Sequence, residues 1–181
     1  AYELSKLFAS NSIPEKDVPW VIENLSHIYE NSEDARSRNF IVIALGSLKR
    51  AEAMPVLNKA LKDSDDKVSF NAVVAIGNMP MGTAVDWQGL ENFLASSDPG
   101  LQQAAIFALS QHQIKGSDKK IAGLLSSPEK TVRYAAAIAL INYQNPDAVE
   151  VLKEIFALDY EPKKDVQNKI IGFNSAQIET I

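Results

Sequence analysis

Apolar positions in this chain are organised on two scales: a helical spacing within short segments, and a recurrence of whole segments along the sequence. Four stretches superpose on an alanine: Phe40–Gly46, Asn71–Gly77, Ala104–Ser110 and Ala135–Ile141. The anchors Ala44, Ala75, Ala108 and Ala139 are separated by 31, 33 and 31 residues, and a fixed period of this size marks a repeat architecture. If each stretch is one helix, positions −7, −4, −3, 0 and +1 about the anchor share a face. Eighteen of those twenty positions are apolar, the exceptions being Ser37 and Asn71. The two residues before each anchor are apolar as well, which predicts helices buried on several sides.

Each of these first helices has legible ends. Ser32, Ser64, Asp98 and Ser127 are the expected N-caps, with Pro99 and Pro128 suited to the first helical position, and Gly46 and Gly77 read as stops. A second apolar helix follows each one, marked by Leu57, Ala60 and Leu61; Leu90, Phe93 and Leu94; Ile121, Leu124 and Leu125; and Leu152, Ile155 and Phe156. Upstream, Val18, Val21, Ile22, Leu25, Ile28 and Tyr29 give the same stripe, and Tyr2, Leu4, Leu7 and Phe8 predict a short helix before it. Downstream, Val166, Ile170 and Phe173 predict one more helix. The chain then divides into an N-terminal partial repeat (1–31), full repeats at 32–63, 64–96, 97–126 and 127–159, and a C-terminal partial repeat (160–181). The turn from Asn78 to Ala84 absorbs the longer spacing of 33 residues.

The run from Ser127 to Leu140, Ser-Pro-Glu-Lys-Thr-Val-Arg-Tyr-Ala-Ala-Ala-Ile-Ala-Leu, resembles the first helix of a HEAT repeat, particularly the short bacterial type also found in phycobilin lyases. The resemblance extends over residues 17–159. It implies an all-α fold, a right-handed α-solenoid (α-α superhelix) of about four HEAT-like helix pairs plus partial terminal repeats. The implied function is a non-enzymatic scaffold that binds a protein or peptide on its concave helix face. A bilin lyase or chaperone, or another enzyme-accessory subunit, is the alternative. The family's recurring arginine is present as Arg38 and Arg133, but Ser69 and Gln102 stand at the matching positions of the middle repeats.

Composition narrows the chemistry. The chain has 18 Lys and Arg against 23 Asp and Glu, a net charge of −5, so a broad cationic field for a phosphate backbone is not expected and nucleic acid is not an expected partner. No apolar run approaches a membrane span. Cysteine is absent, which removes disulfides, thiolate metal sites and thiol nucleophiles, and is compatible with cytosol or periplasm. The start at Ala1 without a leader pattern suggests a processed product or an excised segment. Iron-dependent HEAT-like hydroxylases carry paired His-Glu dipeptides, whereas His27 and His112 are followed here by Ile28 and Gln113. No catalytic, cofactor-binding or metal-binding residues are therefore expected.

In a HEAT-like array the second helices would line the concave side, and their outward positions form successive rungs. These are Ser26 and His27, Asn58 and Lys59, Glu91 and Asn92, Ala122 and Gly123, and Lys153 and Glu154. The mixed charge suits a protein or peptide. With Trp20 as an off-stripe aromatic anchor, the candidate binding residues are Trp20, His27, Asn58, Lys59, Glu91, Asn92, Lys153 and Glu154.

Overall fold

The computed structural model describes residues 13–159, 162–164 and 170–173. A 3-10 turn (Glu15–Asp17) leads into helix α1 (Val18–Asn31), after which long and short helices alternate. The long ones are α2 (Ala35–Leu48), α4 (Asp66–Gly77), α6 (Pro99–Gln111) and α8 (Lys130–Asn142). The short ones are α3 (Met54–Ala60), α5 (Trp87–Glu91) and α7 (Ser117–Gly123), closed by the longer α9 (Val149–Asp159). The result is an α-solenoid. Its core is one continuous cluster running through every repeat, from Ile22 and Tyr29 through Leu45, Leu57, Ile76, Leu90, Leu109 and Ile121 to Leu140.

The anchors explain how the array stacks. Ala44, Ala75, Ala108 and Ala139 are all buried, and the pairs α2–α4, α4–α6 and α6–α8 are the most extensively packed in the molecule. At Gly46 an added Cβ would lie 2.5 Å from the Ala75 Cβ, and at Gly77 it would lie 3.0 Å from the Ala108 Cβ. Two successive long helices therefore meet with almost nothing between their backbones. Gly46 is inside α2 and does not stop it, contrary to the sequence reading. The turns fall further on, where Lys49, Gln113 and Gln144 adopt φ of 51°, 48° and 54°.

Other expectations need correction. Asp98 caps α6 as predicted, but α2 and α4 are capped by Asp34 and Asp65 rather than Ser32 and Ser64. Asp34 and Asp65 each accept from the backbone amides two and three residues ahead, and Asp98 from the Gly100 amide alone, which a charged side chain does well at the positive end of a helix. Ser127 instead accepts from the Glu129 amide, so Pro128 stays outside a helix that begins at Lys130. Ile28 and Phe156 are exposed rather than core residues. The expected helix through Ile170 and Phe173 is a strand: β1 (Pro162–Lys164) pairs antiparallel with β2 (Ile170–Phe173). Pro162, Ile170-Ile171 and Gly172 are all weak helix formers, which fits this outcome. Val166 and the proposed helix at Tyr2, Leu4, Leu7 and Phe8 lie outside the described residues.

The largest departure concerns the residue just before each anchor. Ile43, Phe107 and Ile138 are 38%, 42% and 56% exposed, and Val74 is half-buried. The long helices are thus closed on three sides and open on the fourth.

The close approach at Gly46 generates a prediction of sign. Gly46→Ala would gain about 0.5–1 kcal/mol of helix propensity but force α2 and α4 apart, at a cost of roughly 1–3 kcal/mol, so its urea midpoint should fall. Gly123→Ala meets nothing within 4 Å and should leave the midpoint unchanged or raise it.

Candidate functional site

The second-helix rungs are largely committed to internal bonds. The Asn58 side chain accepts from the Asp86 backbone amide at 3.1 Å and so pins the long turn after α4, while Asp86 caps α5 through the Gly89 amide. Lys59 lies 3.7 Å from Glu30. Glu91 accepts from Ser117 at 2.7 Å and from Lys120 at 2.5 Å; burial opposes its charge, but these two donors outweigh it and its pKa is lowered. Lys153 pairs with Glu150, and Glu154 accepts from Arg133 and Tyr134. That leaves Trp20, His27 and Asn92 as exposed candidates without a protein-side commitment of comparable strength; Trp20 is 66% exposed. His112, in contrast, is buried, with Nε2 3.1 Å from the Ile76 carbonyl and its ring centroid 4.9 Å from that of Trp87.

The recurring arginine works within a repeat. Arg38 donates through Nη1 to the carbonyls of Ser32 and Glu33, and grips Asp63 through Nε and Nη2 at 2.7 and 2.8 Å. Arg133 repeats the pattern, with the carbonyls of Ser127 and Pro128 and the carboxylate of Glu154. In both cases it fastens the turn before a long helix to the second-helix side of the same repeat, at Asp63 just past α3 and at Glu154 within α9. Gln102 makes part of this bond set, donating to the Leu94 carbonyl, so no arginine ladder between repeats is needed. Tyr29 adds a third member at the first site, donating to Asp63 at 2.8 Å. The Arg38 guanidinium, helped by the Asp65 amide and Tyr29, holds the Asp63 carboxyl down at about 2, and burial raises the Tyr29 phenol.

A second outward face belongs to the long helices. Two positions about each anchor lie on this face. The residue just before it is apolar in every repeat (Ile43, Val74, Phe107, Ile138), and the residue three after it is an uncharged polar group (Ser47, Asn78, Gln111, Asn142). Where α2 meets α4, a shallow groove of about 230 Å³ is lined by Ile43, Ser47, Lys49, Asn71, Val74 and Asn78, above Gly46 and Ala75. The signal was present in the sequence as the fourfold apolar recurrence at one position, which was assigned to burial.

Among the described residues, no group of three or more His, Cys, Asp or Glu side chains could hold a metal ion. No helix there is long and apolar enough to cross a membrane.

The family described as HEAT repeats matches residues 22–110 and 87–171, most of the chain. The chain belongs to the HEAT-repeat family. Among solved structures, a crystal structure of an engineered protein is similar at a TM-score of 0.56 and 23% identity, covering 74% of this chain and 67% of that one; this supports the fold alone. No curated protein matches. HEAT repeats are typically protein-interaction scaffolds, and the spent polar rungs and open apolar row of this array bear on which face would serve.

The Asp63 site sets an acid limit on the array. A carboxyl depressed from near 3.9 when unfolded to about 2 when folded contributes about 2–3 kcal/mol that is fully present above pH 4 and lost as pH falls through 2. Asp63→Asn should therefore destabilise at pH 7 by about 3 kcal/mol or more, since it leaves Arg38 unpaired, and should flatten the stability profile between pH 4 and pH 2 in acid titration monitored by circular dichroism.

Proposed function

We propose that this HEAT array is a non-enzymatic interaction scaffold that binds a protein or peptide along its concave helix face. The observation that carries this is the row of exposed apolar side chains repeated on successive long helices, since a stacked frame presents such residues in register at little ordering cost. A layer of helix pairs curves toward its more closely spaced row. The contacts of Gly46 with Ala75 and Gly77 with Ala108 support a reading in which the long helices are that row and line the concave side, in place of the second helices. A second reading keeps the exposed Trp20, His27 and Asn92 as contact points, with Trp20 as the anchor. Asn58, Lys59, Glu91, Lys153 and Glu154 would first have to release an internal bond.

A scaffold of this kind should yield a complex of fixed stoichiometry with a protein or peptide, with amide protection spread over at least three successive repeats in hydrogen exchange. A visible-absorbance shift on mixing with bilins, or protection confined to a single repeat, would count against it and favour a chromophore-handling role.

A further inference from the structure

Helix α1 is the second helix of its repeat. Its Leu25, Ile28 and Tyr29 match Leu57, Ala60 and Leu61 of α3 in spacing, and the 3-10 turn Glu15–Asp17 leads into it as Ala51–Ala53 leads into α3 and Pro146–Ala148 into α9. In those two later repeats a long helix ends two or three residues before the turn. Ahead of α1, the same spacing falls at residues 11 and 12.

The surface that a first helix would cover is open here. Ile28 is 51% exposed, whereas its counterpart Ala60 is buried and Phe93, Leu124 and Ile155 are half-buried. Leu25 is half-buried where Leu57, Leu90 and Ile121 are fully buried. On α2, the residue four before the anchor is Phe40, 47% exposed, whereas Asn71, Ala104 and Ala135 at that position are half-buried. The position faces the preceding long helix: the Asn71 side-chain amide on α4 donates to Asn39 of α2 at 2.7 Å.

We propose that residues 1–11 form the first helix of this repeat, lying beside α1 and against α2 with Leu4, Leu7 and Phe8 over Leu25, Ile28 and Phe40. This concerns the end of the array and does not depend on the scaffold reading above. At about 100° per residue, Leu4, Leu7 and Phe8 share one helix face and Glu3, Lys6 and Ser10 the opposite one. Neither Pro nor Gly interrupts residues 1–11. A helix of this length is marginal alone in water, so docking on the open surface would be what holds it.

The competing occupant is a second copy, stacked head to tail, and the far end of the array disfavours it. The position that meets the next long helix is Gly46, Gly77 and Ser110 in the first three long helices, but Ile141 in α8. An added Cβ at Gly46 already comes within 2.5 Å of the Ala75 Cβ, so an isoleucine at the equivalent place has no room against α2 of another copy.

The test is amide hydrogen exchange followed by NMR on the full chain. Amides of residues 5–10 should exchange at least tenfold more slowly than in the isolated peptide 1–12. Ile28→Ser, Phe40→Ser and Phe8→Ser should each reduce that protection severalfold, with protection in α4 and α6 unchanged to show that the array is still folded. Lys6→Ala, on the opposite face, should leave it as it was. Peptide-like exchange in the full chain would overturn the proposal, as would protection that survives both Ile28→Ser and Phe40→Ser. Protection that grows with protein concentration, alongside a dimer in sedimentation that is lost on Phe40→Ser, would overturn it in favour of a second copy.

Discussion

The constraint on which the rest of this structure depends is the near-contact of successive long helices. Gly46 against Ala75 and Gly77 against Ala108 leave no room for a single added carbon without a shift. Small residues at these points bring the backbones together, and interior packing density then fixes the remaining side chains around them. Everything larger must point elsewhere. Leu45, Ile76, Leu109 and Leu140 go inward to the short helices, and Ile43, Phe107 and Ile138 go outward to solvent. The open apolar face is thus a geometric consequence of the same close approach that holds the repeats together.

Bonds between the two rows complete the frame. The stack of alanines joins long helix to long helix but does little to fix the short helices, whose mutual packing is sparse. Polar ties do that work: Arg38 with Asp63 and Tyr29, Arg133 with Glu154, and Ser117 and Lys120 on Glu91. Several are partly buried, where an unpaired member costs more than the pair contributes. Among the described residues, no buried side-chain nitrogen or oxygen lacks a partner. Asn58, Glu91 and Glu154 take part in such ties, whereas Lys59 and Lys153 sit in exposed pairs.

The repeat, its anchors and its core were legible in the sequence because each depends on apolar spacing, which a single chain displays directly. Cap positions were missed by one or two residues, since Ser32 and Asp34 are both good N-caps and only the geometry of the turn chooses between them. The candidate surface was harder. Polar residues on an outward helix face look the same whether they meet solvent or each other, and Asn58 and Glu91 are 28 and 26 residues from the groups they hold. Apolar residues carry the opposite ambiguity: the pattern says that Ile43 and Val42 are both hydrophobic, but not that one is fully buried and the other open.

That ambiguity is resolved by asking what the fold itself demands of the position. The residue before each anchor is exposed in three repeats and half-buried at Val74, although Phe107 also lies against Gly77 of the neighbouring long helix. Three residues after the anchor, where the exposure is similar, the chain does carry polar groups in all four repeats. Folding therefore explains polarity at the second position and accounts for apolarity at the first only in part, where Val74 is half-buried and Phe107 lies against Gly77. Single exposed apolar residues are ordinary on protein surfaces, but an aligned row rimmed by polar groups is the form of an interaction site.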